Sequence, residues 1–270
     1  MWRKSGRKRT GWQYYPDMRG EKTMPKFFIN KNEISRGQVR LLGEDEKHIK
    51  TVLRAREGEE VTLCDGEGMD YLCRIASLER GVLLDVLSKT PCETEPEIRL
   101  TLYQGLPKAD KMEWIIQKAV ELGVYQIGID RIVPVATERA IVKLDKKEGK
   151  KLERWQKIAE AAAKQSGRGK IPEVSQRVLK FAEAVEEAAR LSGAVIPYEK
   201  EPPENGLRQF ASGFSGTTAG IFIGPEGGFS EEEVALAQEK GIRSVSLGKR
   251  ILRTETAGMV TAAILLYEWE

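Results

Sequence analysis

The chain has 270 residues, more than most single domains, and its 40% hydrophobic and 31% charged residues suit a globular fold with a sizeable core. No apolar run approaches the roughly 20 residues a membrane span needs. Three cysteines (Cys64, Cys73, Cys92) lack metal-type spacing, which argues for a reducing, cytoplasmic setting, and a single histidine, His48, disfavours zinc hydrolase and His-triad chemistry.

In chain order, residues 1–23 carry seven Lys/Arg against two Asp/Glu, with interleaved Trp and Tyr and no periodicity. They read either as a basic arm able to touch RNA or as a disordered extension ahead of a start at Met24. The remainder is nearly balanced, 37 basic against 39 acidic residues, so a nucleic-acid footprint there is a local patch. From residue 24 to 90 the segments KFFI, EVTLC, DYLCRIA and GVLLDVL predict short strands forming a small β-barrel or closed sheet, with one helix over Gly43–Leu53. Residues 91–97, with Pro and Glu, read as a linker.

Beyond Ile98 strands and helices alternate. Strands are predicted at 98–104, 127–133, 194–197, 219–223 and 244–247, and helices at 109–122, 147–165, 182–191, 231–240 and 256–267. In the first helix Met112, Ile115, Ile116, Ala119 and Leu122 share a face. The pattern predicts an α/β domain over 98–270, a mostly parallel sheet with helices on both faces.

Two segments carry the chemistry. Gly224-Pro225-Glu226-Gly227-Gly228 ends an apolar run and leads into Ser230, which forms a capping box with Glu233. Glycines there let backbone approach a ligand closely, while Glu231 and Glu232 at the helix start disfavour phosphate. A neutral or cationic ligand fits better than a polyphosphate. The second segment, Ser246 to Gly258, joins a strand end at Leu247-Gly248 to a long apolar helix capped by Thr254 or Thr256.

Together GPEGG and SLGKRILRTETA resemble the SPOUT-class RNA methyltransferases, and more narrowly the bacterial 16S ribosomal RNA uracil-N3 methyltransferases. HIKTVLRAREGE (48–59), KADKMEWIIQKAVELGV (108–124) and ERWQKIAEAAAKQSGRGKIPEV (153–174) agree in order, so the resemblance spans 24–270. It implies a PUA-like RNA-binding β-barrel, a SPOUT α/β domain with a deep trefoil knot, a homodimer, and S-adenosylmethionine as cofactor. Carried onto this chain, Ile223, Gly224, Pro225, Leu247, Gly248, Ile251, Leu252, Thr256 and Ala257 would hold the cofactor. Arg253 would face the uracil carbonyl oxygens, and Glu226 or Glu255 would accept the N3 proton. The substrate implied is 16S rRNA within the small ribosomal subunit. No cysteine lies in these motifs, which disfavours C5 methylation through a Cys adduct.

His48, Arg54 and Arg56 in the barrel, Arg139 in Thr137-Glu138-Arg139, and Arg168 in a basic glycine-rich stretch are candidate RNA contacts. Ala140 stands where the family usually has Ser, which puts a hydroxyl contact in doubt. The competing readings are an assembly factor that binds RNA without turnover and a SPOUT ribose 2′-O-methyltransferase. The intact cofactor segments favour an enzyme over the first, and the missing Asn and Arg pattern disfavours the second.

Overall fold

A computed structural model describes residues 26–92, 98–124, 127–140 and 148–269. The basic arm expected at 1–23 lies outside the described residues, as does most of the expected linker.

The N-terminal unit contains β1 (Phe27–Phe28), β2 (Gln38–Leu41), α1 (Glu44–Lys47), β3 (Glu60–Cys64), β4 (Met69–Ser77) and β5 (Val82–Pro91). Strand β4 alternates as its sequence requires, with Tyr71, Cys73 and Ile75 buried and Leu72 and Arg74 outward. The strand order is β1-β3-β4-β5-β2, parallel between β1 and β3 and antiparallel elsewhere. Short strands of two and four residues end this path, so the expected closed barrel is a half-barrel sheet. Strand β5 runs through Pro91 and Cys92 is buried, which carries the unit past residue 90.

The predicted helix over 43–53 forms in two parts. After α1 the chain widens over His48–Leu53, and the Arg54 N–H bonds the Ile49 carbonyl five residues back. Such wide turns are uncommon and favour functional positions. Arg54 then takes a left-handed conformation (φ 51°), which turns the chain outward while Ile49 fills the core.

The C-terminal unit contains β6 (Ile98–Gly105), α2 (Lys111–Glu121), β7 (Gly123–Val124), β8 (Ile127–Ala136), α3 (Glu148–Ser166), β9 (Glu173–Val174), β10 (Leu179–Lys180), α4 (Phe181–Ala188), β11 (Gly193–Pro197), α5 (Leu207–Gly213), β12 (Thr218–Ile223), α6 (Glu231–Glu239), β13 (Arg243–Val245) and α7 (Thr254–Trp269). The sheet order is β10-β8-β6-β12-β11-β13, all parallel, with β7 and β9 added alongside β8.

Period-two alternation sends neighbouring strand residues to opposite faces. Leu100, Leu102, Ile221 and Ile223 pack under α2, α3, α5 and α7, with Trp155, Phe210 and Leu265. Tyr103 and Phe222 face the other way, stacked at 4.5 Å, beneath α4 and α6. This is the two-sided parallel sheet the alternation predicts. Leu122, expected on the buried face of α2, caps that helix, and Val120 is buried instead.

The two units touch through the β3–β4 turn and through α1. The Cys64 thiol donates to the Gly169 carbonyl at 2.9 Å, Glu67 and Lys170 pair through their backbones, and Lys164 reaches Asp45 at 3.4 Å. Among the described residues no helix is long and apolar enough to cross a membrane, and no cluster of three or more His, Cys, Asp or Glu residues could hold a metal.

Candidate active site

Strands β6, β11, β12 and β13 lie side by side in the sheet, and their C-terminal ends share one edge. Ligands of open parallel sheets bind at that edge. Here a cavity of about 530 Å³ opens between the segment after β12 (Gly224–Phe229), the β13–α7 segment (Leu247–Thr254) and the turn after β11 (Pro197–Glu199).

Its glycine-rich wall is tightly packed. A Cβ on Gly105 would stand 2.7 Å from Pro225 Cδ, and one on Gly224 would stand 3.0 Å from the Gly228 backbone. Gly228 (φ +67°) and Gly248 (φ +100°) hold conformations that L side chains rarely adopt. Ser230 then starts α6 with the expected capping box: its hydroxyl accepts from Glu233 N, and the Glu233 carboxylate accepts from Ser230 N.

Thr254 locks the opposing wall. Its hydroxyl donates to the Gly224 carbonyl at 2.6 Å and accepts from Gln104 Nε2 at 2.9 Å. The helix begins at this threonine, whose hydroxyl is spent on the glycine loop.

Of the residues expected to hold a cofactor, Ile223, Gly224, Pro225, Leu247, Gly248, Ile251, Leu252 and Ala257 line this cavity. Thr256 does not line it and points outward as an exposed side chain. Arg253 and Glu226 line it as well. Glu255 sits behind them, joined to the cavity through Lys111, whose ammonium lies 2.9 Å from Glu226 and 3.3 Å from Glu255. Burial alone would push the Glu226 carboxyl up, but Lys111 and the backbone N–H groups of Glu226 and Lys108 outweigh it and hold it below the usual carboxylate range. Hydrogen bonding to Glu226, helped by Glu255, in turn raises the Lys111 ammonium above its ordinary value. The cavity mouth therefore carries fixed, ionised groups of both signs.

Arg139 stands at the rim, exposed, its guanidinium donating to the Gly227 carbonyl at 3.1 Å. In the N-terminal unit His48, Arg54 and Arg56 are exposed, and His48 meets Phe27 edge-on at 5.7 Å. Arg168 departs from the expectation of an RNA contact. It is only 7% exposed and donates to the Ile129 carbonyl at 2.6 Å, so its charge is used inside the domain rather than on a nucleic-acid surface.

The RNA methyltransferase domain family matches residues 94–266, and the RNA methyltransferase PUA domain family matches 41–86. The chain is 35% identical over 259 residues to the ribosomal RNA small subunit methyltransferase E of Bacillus subtilis, covering 92% of this chain and 98% of that one. The chain belongs to the ribosomal RNA small subunit methyltransferase E family. The Mycobacterium tuberculosis protein of that name is 30% identical, with 84% of this chain and 87% of the other aligned. Among solved structures, the Neisseria gonorrhoeae methyltransferase E bound to S-adenosylmethionine superposes with a TM-score of 0.78 at 34% identity, covering 91% of this chain and 98% of that one. A Legionella pneumophila structure in complex with the same cofactor gives 0.75 at 30%, covering 90% and 97%.

Within this methyltransferase E chain, three site features escaped the sequence reading. Lys111 begins α2 yet bridges the glycine-rich loop and α7. The Pro197–Glu199 turn completes the cavity wall, and it was findable as the end of a predicted strand. Glu233, 7% exposed, does more than cap α6, because its second oxygen accepts from Glu138 N at 2.9 Å and so fixes the loop that carries Arg139.

Proposed function

We propose that this methyltransferase moves a methyl group from S-adenosylmethionine to N3 of a uridine in 16S rRNA of the small ribosomal subunit. The carrying observation is the cavity itself, with a glycine-rich wall, an apolar wall and a charged mouth, at the sheet edge where ligands of such folds bind. Its volume lies within the roughly 300–1,000 Å³ range of small-molecule sites.

The donor set fits the cofactor. Leu252, Ala257 and Ile223 offer apolar contact for an adenine ring, and backbone groups at Leu247 and Gly248 offer polar contact for its edge. Carboxylates near the mouth suit a sulfonium cation better than a phosphate would. When bound, the cofactor supplies an already activated methyl group.

The residues of the chain then have three tasks. Arg253 meets the uracil carbonyl oxygens and favours the negative charge that develops as the N3 proton departs. Glu226 or Glu255 accepts that proton within the ion-paired mouth. The walls hold the base in line with the methyl group and exclude water.

The RNA is held by Arg139 at the rim and by His48, Arg54 and Arg56 on the PUA-like unit, which extends through β5 to Cys92, with 98–270 as the methyltransferase unit. The SPOUT reading of this α/β unit carries with it a deep trefoil knot. The exposed Tyr267 (74%), one turn from Ile264 on α7, and the exposed Ile251 (88%) before that helix support a homodimer.

The test is methyl transfer with labelled S-adenosylmethionine and unmodified small subunits, followed by nucleoside mass spectrometry. A 3-methyluridine product is expected. A different methylated nucleoside would overturn the substrate, and no product from cofactor-binding protein would overturn the enzyme reading.

A further inference from the structure

We infer that Lys111 is a positioning residue for methyl transfer, its ammonium holding Glu226 and Glu255 together at the cavity mouth so that one of them can take the proton from uracil N3. The inference deepens the proposed N3 reaction and rests on it.

Three observations carry it. First, Lys111 gathers carboxylates from two separate segments, Glu226 of the glycine-rich loop at 2.9 Å and Glu255 of α7 at 3.3 Å, while itself lining the cavity. Secondly, the helix does not account for the lysine. Lys111 is the first residue of an eleven-residue helix, where the dipole disfavours a cation. Thirdly, stability does not account for it either. The Lys111–Glu226 pair, with side chains 32% and 27% exposed, opens to water and contributes little, while the Glu255 oxygen that faces Lys111 is buried and gains no hydrogen bond from it. What remains is chemistry at the mouth, reinforced by the Lys108 N–H, which bonds both Glu226 oxygens at 3.2 Å.

The proton balance is closed. The N3–H bond breaks and its proton passes to one carboxylate oxygen. The electron pair left on N3 forms the new bond to the methyl carbon, and the carbon–sulfur pair stays on sulfur. The carboxylic acid then returns its proton to water. Among the described residues the other charged groups facing this spot are Arg253 and Arg250 from the β13–α7 segment, Arg139 behind Gly227, and Glu199 beside Gly228.

Removing the ammonium removes the main force that keeps Glu226 low, so its carboxyl rises and the acid-side fall of the rate moves to higher pH. The experiment is single-turnover methyl transfer by the full chain on small subunits across pH, for wild type, Lys111→Met, Lys111→Gln and Lys111→Arg, with cofactor affinity by calorimetry as the folding control. Lys111→Met and Lys111→Gln should move the acid limb up by about one pH unit, and Lys111→Arg should restore it.

A rate lowered equally at every pH, with the limb unmoved in a variant that binds cofactor, would overturn the inference and leave a structural lysine. Should both neutral variants lose cofactor binding, Lys111→Arg decides: a wild-type limb upholds the role of charge, and a displaced limb overturns it. Failure of the underlying reading is separate, because it would appear in wild type as the absence of 3-methyluridine.

Discussion

Thr254 and Gly224, thirty residues apart, are joined by a 2.6 Å hydrogen bond from the threonine hydroxyl to the glycine carbonyl. Because the same hydroxyl accepts from Gln104, three segments meet at one buried oxygen: the end of β6, the glycine-rich loop and the start of α7. The cavity keeps its shape through that junction.

Thr254→Val preserves the side-chain outline and deletes both bonds. The half-buried Gly224 carbonyl and the buried Gln104 amide then lose a partner, at a cost of about 2 kcal/mol. Urea unfolding should show the lower midpoint, and calorimetry should show weaker binding of S-adenosylmethionine. Wild-type values for both would remove Thr254 from the site.

Leu252→Arg places a charge against the apolar cavity wall, where a cation lacks compensation. Loss of cofactor binding without loss of fold is expected, read by calorimetry and circular dichroism. Unchanged affinity would show that the ligand sits elsewhere.

Arg139→Ala should weaken binding to small-subunit RNA about tenfold and leave cofactor affinity nearly unchanged, a difference of about 1.4 kcal/mol. Glu233→Gln should reproduce part of that loss, since a neutral amide holds the Glu138 and Ser230 N–H groups less strongly. Arg168→Met should behave differently: it takes away the donor to the Ile129 carbonyl and lowers stability. Filter binding and thermal melts separate the two classes, and an RNA-specific defect in the Arg168 variant would return that residue to the RNA surface.

Cysteine titration gives a pH test. Burial pushes the Cys64 thiol from 9.0 up to about 12, and the Cys73 thiol up to about 11. Each thiol keeps its proton longer in the folded chain than in the unfolded one. Their contribution to stability is therefore complete below the unfolded value and is lost as pH rises from about 9 toward the folded values. Both should resist alkylation at pH 8 until denaturant is added, as followed by mass spectrometry. Rapid labelling of native protein would contradict the burial.

Most of the larger elements were legible because their signal is local. The alternation in DYLCRIA, the face of Met112, Ile115 and Ile116, and the Ser230–Glu233 box each lie within a few residues. Five short elements, β2, β7, β9, β10 and α5, were missed for the same physical reason, the three strands β7, β9 and β10 being only two residues long. Strand β2 has four residues with charges on both flanks, and α5 has seven with Ser and Gly at its end, so neither shows enough periods to read. The site divides in the same way: the glycines and Ser230 announce themselves locally, whereas Lys111 meets Glu226 and Glu255 only after the sheet has brought three distant segments together. Arg168 misled because charge beside glycine resembles a wet loop, and its partner lies 39 residues upstream.

Gly105 lies against Pro225 with no room for a methyl group, and Gly224 lies against the Gly228 backbone, so the glycine-rich wall of the cavity is tightly packed main chain. Such a surface has no rotamers to adjust, and ordinary substitutions cannot rewrite it without rerouting the fold. The identity of the small molecule is thereby the most conservative trait of the protein under mutation. The rim, made of Arg139, Arg253 and their acidic neighbours, consists of side chains that can be exchanged singly. Diversification of this scaffold should therefore change which macromolecule is presented long before it changes what is stored beneath.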